Sequence, residues 1–205
     1  MRVVVTLVTL ALIISCDQII PKMSTEKRTY VQSILQERAK KDSSFAADAN
    51  SPIPAEQLVK FKGLRYFKVD PNLRLTAQLQ KLAHSDSFKI MTSKGVERPI
   101  MRYGYFEVEL QNRAHRLFVY KLLDIQDRYP NALFLPFLDS TSGKESYGGG
   151  RYLDLEVNES GLYELDFNRA YNPLCAYGRT IYRCPIPPEE NRLPVSVRAG
   201  EKTWH

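Results

Sequence analysis

Between Leu73 and Gln80 every second residue is apolar: Leu73, Leu75, Ala77 and Leu79 alternate with Arg74, Thr76, Gln78 and Gln80. Period two is the period of a strand with one buried and one wet face. The pattern returns at Phe106, Val108 and Leu110, and after Asn112–His115 it is followed by Leu117-Phe118-Val119-Tyr120, which predicts a hairpin. It returns again at Leu153, Leu155 and Val157, then a turn at Asn158–Gly161, then Tyr163, Leu165 and Phe167, a second predicted hairpin. Phe88–Thr92, Leu133–Leu138 and Val195–Arg198 are weaker strand candidates, and Pro136 marks the second of these as an edge or a bulge, because proline cannot donate to a ladder. The expected fold is therefore mainly β, an antiparallel barrel or sandwich of about eight short strands.

A short helix is expected before the strands. Ser24 or Thr25 can cap it, Glu26 complements its dipole, and Tyr30, Ile34 and Leu35 form a narrow apolar edge up to about Lys41. Asp42-Ser43-Ser44 ends it, and Ser51-Pro52-Ile53-Pro54 imposes extended or turn geometry before the main body. The chain has 205 residues, 43% hydrophobic and 25% charged, which fits a single globular domain over residues 25–205. The net charge of +6 is modest, and acids and bases alternate along most of the chain. A nucleic-acid partner, which calls for a concentrated basic stripe, is not expected.

The N-terminus carries an address. Arg2 precedes Val3–Ile14, a run of apolar residues and threonines, and Ser15-Cys16 follows. This is the layout of a secretory signal over residues 1–15, shorter than the roughly 20 residues that cross a bilayer. Ile13-Ile14-Ser15-Cys16 resembles the bacterial lipobox, in which the cysteine thiol takes a diacylglycerol and becomes the new N-terminus. Two or three acyl chains anchor a protein durably. The expectation is a bacterial lipoprotein on the periplasmic side of the inner or outer membrane, held through Cys16 and a tether over residues 16–24. Asp17 resembles an inner-membrane retention signal, a rule that varies between bacterial groups.

Two segments are polar enough to carry chemistry. The first, Asp139 to Arg151, holds Lys144 and the run Gly148-Gly149-Gly150 before a strand. Glycine amides approach a ligand closely, and Lys144 and Arg151 pair with anions. It is not a P-loop, which needs a helix after its glycines. The second, Asp166-Phe167-Asn168-Arg169-Ala170-Tyr171-Asn172-Pro173, closes the second hairpin and would place Asp166 and Asn168 on one face. Because Arg151 opens that hairpin, the two segments are expected to meet and form a site for a small polar or anionic ligand. In it Lys144, Arg151 and Arg169 are the cations, Gly148, Gly149 and Gly150 cap the anion, and Asn168 and Asn172 fix orientation. Asp139 or Asp166 is the candidate general base if the site is instead a hydrolase. The bland alternative is that these groups satisfy loop backbone.

Cys175 and Cys184 remain after lipidation, and an exported compartment favours a disulfide between them, with inert thiols as the alternative. No metal set is read, because a zinc site wants four ligands, usually at shorter spacing. No cofactor is identified.

The segments Tyr147–Leu155 (YGGGRYLDL), Asp166–Tyr177 (DFNRAYNPLCAY), Cys184–Asn191 (CPIPPEEN) and Ala199–Lys202 (AGEK) resemble, in this order, the signature of the proteins catalogued as domain of unknown function 1684. The resemblance extends from about Tyr30 to Trp204 and includes Phe61-Lys62-Gly63-Leu64. It implies no reaction, since the family has none established. It does imply relatives without an export signal, which keeps the disulfide question open. The leading expectation is a membrane-anchored lipoprotein that binds a small polar or anionic ligand without catalysis. An envelope hydrolase and a structural envelope protein are the alternatives.

Overall fold

A computed structural model describes residues 23–204. The signal segment, Cys16 and all but the end of the tether lie outside the described residues.

The helix α1 runs over Thr25–Ala47, with Ser24 as its cap accepting from the Lys27 amide at 3.3 Å. It is longer than its sequence suggests, passing through Asp42-Ser43-Ser44 without a break. The Asp42 carboxylate is engaged by the Leu64 amide at 3.1 Å and the Tyr66 hydroxyl at 3.2 Å, so it does not compete for the helix backbone. Phe45 then anchors the extra turn against Ile53 and Tyr177. A single turn, α2, follows at Ala55–Leu58.

Seven strands build one antiparallel sheet: β1 (Arg74–Lys81), β2 (Ser87–Met91), β3 (Glu97–Leu110), β4 (Arg113–Leu122), β5 (Ala132–Phe137), β6 (Arg151–Glu156) and β7 (Leu162–Asp166). Their order is β6-β5-β4-β3-β1-β7, with β2 paired to β3 beside β1. The long strand β3 pairs with β2 through residues 97–101 and with β1 through residues 104–106, and its register against β4 shifts between Arg102 and Gly104. A Cβ on Gly104 would press on the Gln80 carbonyl at 2.6 Å, so only glycine allows β1 to cross there.

The first predicted hairpin is β3–β4, with a tighter turn than expected. Gln111 and Asn112 alone make it, with φ of +52° and +59°, the two-residue turn whose twist suits a hairpin. His115 is consequently a strand residue, opposite Val108. The second predicted hairpin is not a paired one. β6 pairs with β5 and β7 with β1, so two strands adjacent in sequence are the opposite edges of the sheet. Only residues 157–161 join them, which forces the sheet to curl into a nearly closed barrel. Tyr152 and Tyr171 complete the closure by exchanging two backbone hydrogen bonds, at 2.9 and 3.1 Å. The interior is filled by Leu79, Phe106, Leu117, Val119, Leu135, Leu165 and their neighbours.

Val195–Arg198, a strand candidate, belongs to no named strand. It is part of a C-terminal segment that crosses the barrel, bonded to Ser140 through the Val195 carbonyl and to Arg151 through that of Val197. Pro136 lies within β5 between two neighbours, and its missing donor is made good from outside the sheet. Extending the Tyr120–Phe134 register puts Phe118 opposite Pro136. There the fully buried Asn191 inserts its amide, accepting from the Phe118 amide at 2.7 Å and donating to the Phe118 and Pro136 carbonyls at 2.8 and 2.7 Å.

Candidate functional site

The strongest sequence candidate, Arg151, opens β6 with its side chain fully buried. Its guanidinium lies 3.2 Å from Asp139 Oδ1 and donates to the Val197 carbonyl at 2.8 Å and to the carbonyl of Ala199. It sits over the rings of Phe137 and Phe67 at 5.1 and 5.6 Å. Burial pulls its pKa down, and the Asp139 carboxylate opposes that shift. Asp139 is equally buried and also accepts from the Val197 amide at 2.7 Å and the Thr141 hydroxyl at 2.9 Å. The pair is a brace between the mouth of β6 and the C-terminal segment, and neither group faces solvent.

Gly150, directly before Arg151, packs against the barrel. Gly150 has a φ of +83° and lies against the Phe137 carbonyl, where a Cβ would stand 2.7 Å away. Its amide donates to the Tyr147 carbonyl at 3.1 Å, so it is not presented to a ligand. Gly148 and Lys144 are exposed, and Gly149 lies over the Tyr147 ring.

Asp166 and Asn168 form a second network. Asp166 ends β7, and Phe167–Arg169 turn away as a 3-10 segment, so the two residues are not on one strand face as the alternation implies. The Asp166 carboxylate accepts from the Tyr30 hydroxyl at 2.8 Å and from the Asn168 amide at 3.0 Å. Asn168 donates to Tyr30 at 2.9 Å and bonds both ways with the Asp70 backbone at 2.8 Å. Burial, then Asp166, pushes the Tyr30 phenol well above its ordinary value, which keeps it a donor. This network seats α1 on the barrel.

Asn172 belongs to a third, centred on Glu201, which is 2% exposed. Glu201 accepts from the Asn172 amide at 2.9 Å, from the Tyr177 hydroxyl and from Lys41 Nζ at 2.6 Å. Burial and the Glu201 charge hold the Tyr177 phenol protonated. Asp139, Arg151 and Asn172 thus bond residues 197–202 as internal links, Asp166 and Asn168 belong to the network under α1, and Arg151 Nε and Asn172 Oδ1 are buried without a partner.

What remains open lies beside them. A cavity of about 240 Å³ separates α1 from residues 168–171, and its walls include Arg38, Lys41, Tyr66, Asn168, Arg169 and Glu201. Arg38 donates to the Phe67 and Asn168 carbonyls at 2.8 and 3.2 Å, stacks on the Tyr66 ring at 4.5 Å, and leaves its buried Nε without a partner. Lys41 keeps two further N–H donors beyond its bond to Glu201, and lies near the Phe45 and Tyr171 rings at 5.2 and 5.1 Å. Arg169 is half-exposed and paired with Glu37 at 2.8 Å. Of the sequence-predicted residues only Asn168 and Arg169 reach this cavity. Arg38 and Lys41 went unnoticed because they lie on α1, some 130 positions away, where a charged helix reads as a solvated surface.

Cys175 and Cys184 are joined as a disulfide, with Cα atoms 6.1 Å apart. The loop it closes is tied to the end of β2, where the Ser93 amide donates to the Cys184 carbonyl at 2.9 Å. Among the described residues no three His, Cys, Asp or Glu side chains gather as a metal site, and no helix is long and apolar enough to cross a membrane.

These features define a class: a nearly closed antiparallel barrel, seated on an N-terminal helix and strapped by a C-terminal segment through a buried Arg–Asp pair. The model of the family described as "Protein of unknown function (DUF1684)" matches residues 59–202, and the chain belongs to that family. It is similar to an uncharacterised protein of Haloarcula marismortui solved by solution NMR, with 34% identity over 88% of this chain and 98% of that one, and a TM-score of 0.64. No curated protein matches it.

Proposed function

We infer that the protein is an envelope lipoprotein whose barrel binds a small anion, without catalysis, in the cavity between α1 and residues 168–171. The observation that carries the reading is the convergence of Arg38, Lys41 and Arg169 on one cavity, against Glu37 and Glu201 as acids. Each acid is already paired to a cation, and Lys41 retains donors for a ligand oxygen. A base of the kind hydrolysis needs must reach its substrate, and Asp139 and Asp166 are each 4% exposed and saturated with internal donors. Anchoring rests on Ile13-Ile14-Ser15-Cys16 alone.

Titration calorimetry with inorganic phosphate and acetate tests the binding. The reading predicts saturable heat that Arg169→Ala weakens at least about tenfold. Arg169 is exposed enough that its loss costs only about 1 kcal/mol or less of stability. No heat with either anion, or an unchanged constant in Arg169→Ala, contradicts it. For the anchor, intact mass measurement of the protein from cell membranes is expected to show diacylglycerol on Cys16 and its loss in Cys16→Ser; an unmodified cysteine rejects it.

A further inference from the structure

On the other flank of α1 lies a larger groove that this reading leaves unused. Its volume is about 750 Å³, within the range of about 300 to 1,000 Å³ typical of small-molecule sites. Val31, Leu35 and Ala39 form one wall, spaced one helical turn apart over roughly 12 Å. Phe67 and Val69 form the facing wall, and Met23 lies at the N-terminal end of the helix edge. Leu35 and Met23 are 45% and 40% exposed, so the apolar surface is held open to water.

The charged groups of the groove are two cations and one acid, a net positive balance. Arg38 and exposed Lys68 line it against one acid, Asp42, whose carboxylate accepts from the Leu64 amide and the Tyr66 hydroxyl and keeps its negative charge. An apolar trough with a net positive charge, in which Lys68 is exposed, fits a ligand with an apolar tail and an anionic head. We propose that the groove along Val31, Leu35 and Ala39 binds a single acyl chain of an anionic amphiphile, with the head against Lys68 and Arg38. A concave slot suits one chain; a bilayer surface would be met by a convex face. The groove shares Arg38 and Tyr66 with the anion cavity, so Arg169, which lines that cavity and not the groove, is the residue that separates the two sites.

The test uses the full chain carrying Cys16→Ser, so that no attached acyl chain competes for the groove or for vesicles. Butyrate, octanoate and dodecanoate are titrated by calorimetry. Each methylene that enters the groove is expected to tighten binding about fourfold until the trough is full. Leu35→Glu, at an exposed position, removes the chain-length dependence, and Leu162→Glu, on an exposed site of β7, does not. Lys68→Glu weakens dodecanoate about tenfold and leaves dodecanol unchanged. Arg169→Ala, which disables the anion cavity, leaves dodecanoate binding as it was. Equal affinity for butyrate and dodecanoate, or full dodecanoate binding by Leu35→Glu, overturns the proposal. So does binding to anionic vesicles with no response to dodecanoate, which would make the face a membrane surface instead.

Discussion

Arg151 carries five N–H donors on a planar fork, the chemistry that favours anion binding when only the sequence is in view. In the fold the fork meets Asp139 and the carbonyls of Val197 and Ala199. A buried ion pair of this kind is not a net source of stability, but removing one partner leaves the other charged and stranded, at a cost of about 3 to 5 kcal/mol. Asn191 is its neutral counterpart. Its amide replaces the ladder bond that Pro136 cannot make, so Asn191→Ala strands the Phe118 amide and two carbonyls. The expected loss is about 3 kcal/mol in urea unfolding, given about 1 to 3 kcal/mol for each buried group left unpaired. A loss within about 0.5 kcal/mol would mean that water or backbone movement replaces the amide. Both residues stand in the signature segments, yet neither role was legible. A sequence shows that a polar group is present and says nothing of whether its partners come from the solvent or from a chain 50 positions on.

The elements were far more legible than their neighbours. Leu73–Gln80 and the stretch from Phe106 to Tyr120 announce strands because each has one face in the core and one in water. β6 and β7 were equally clear as strands, but their pairing was not. Adjacency in sequence suggests a hairpin, whereas β5 and β1 offer six and five paired positions respectively. The far end of α1 was hidden for a similar reason: Asp42 and Ser43 look like a stop unless Leu64 and Tyr66 are known to take up the carboxylate. The disulfide belongs to this scale too. It closes a loop of sequence separation 9, tied to β2 through Ser93. The Cys175→Ser, Cys184→Ser double variant is expected to lose about 2 to 3 kcal/mol, read as a lower denaturation midpoint. If reductant leaves the midpoint of the native protein unchanged, the bridge contributes nothing.

Across the whole molecule the tyrosines set a boundary in pH. Tyr30, Tyr66, Tyr120, Tyr152, Tyr171 and Tyr177 all have their phenols raised above the ordinary value of 10.0, chiefly by burial. The native state therefore keeps these protons where the unfolded chain gives them up. Their contribution is complete below pH 10 and is lost as pH rises beyond it. Denaturation midpoints measured from pH 8 to pH 11 should be level at first and fall steeply above about pH 10. A flat profile through pH 11 would contradict the burial of these hydroxyls. Three of the six, Tyr66, Tyr171 and Tyr177, surround Glu201, so alkaline unfolding should open the α1 cavity.

On the proposed reading Arg151 holds the barrel together and Arg169 faces the ligand. The direct test is thermal unfolding of the wild type, Arg151→Ala and Arg169→Ala, each with and without saturating phosphate. A ligand that binds only the native state must raise the midpoint. The prediction is that Arg151→Ala melts about 10 °C lower but still gains from phosphate, while Arg169→Ala melts near the wild type and gains clearly less at the same phosphate concentration. The reverse result, a stable Arg151→Ala that no longer responds to phosphate, would place the ligand at the buried pair and contradict the account.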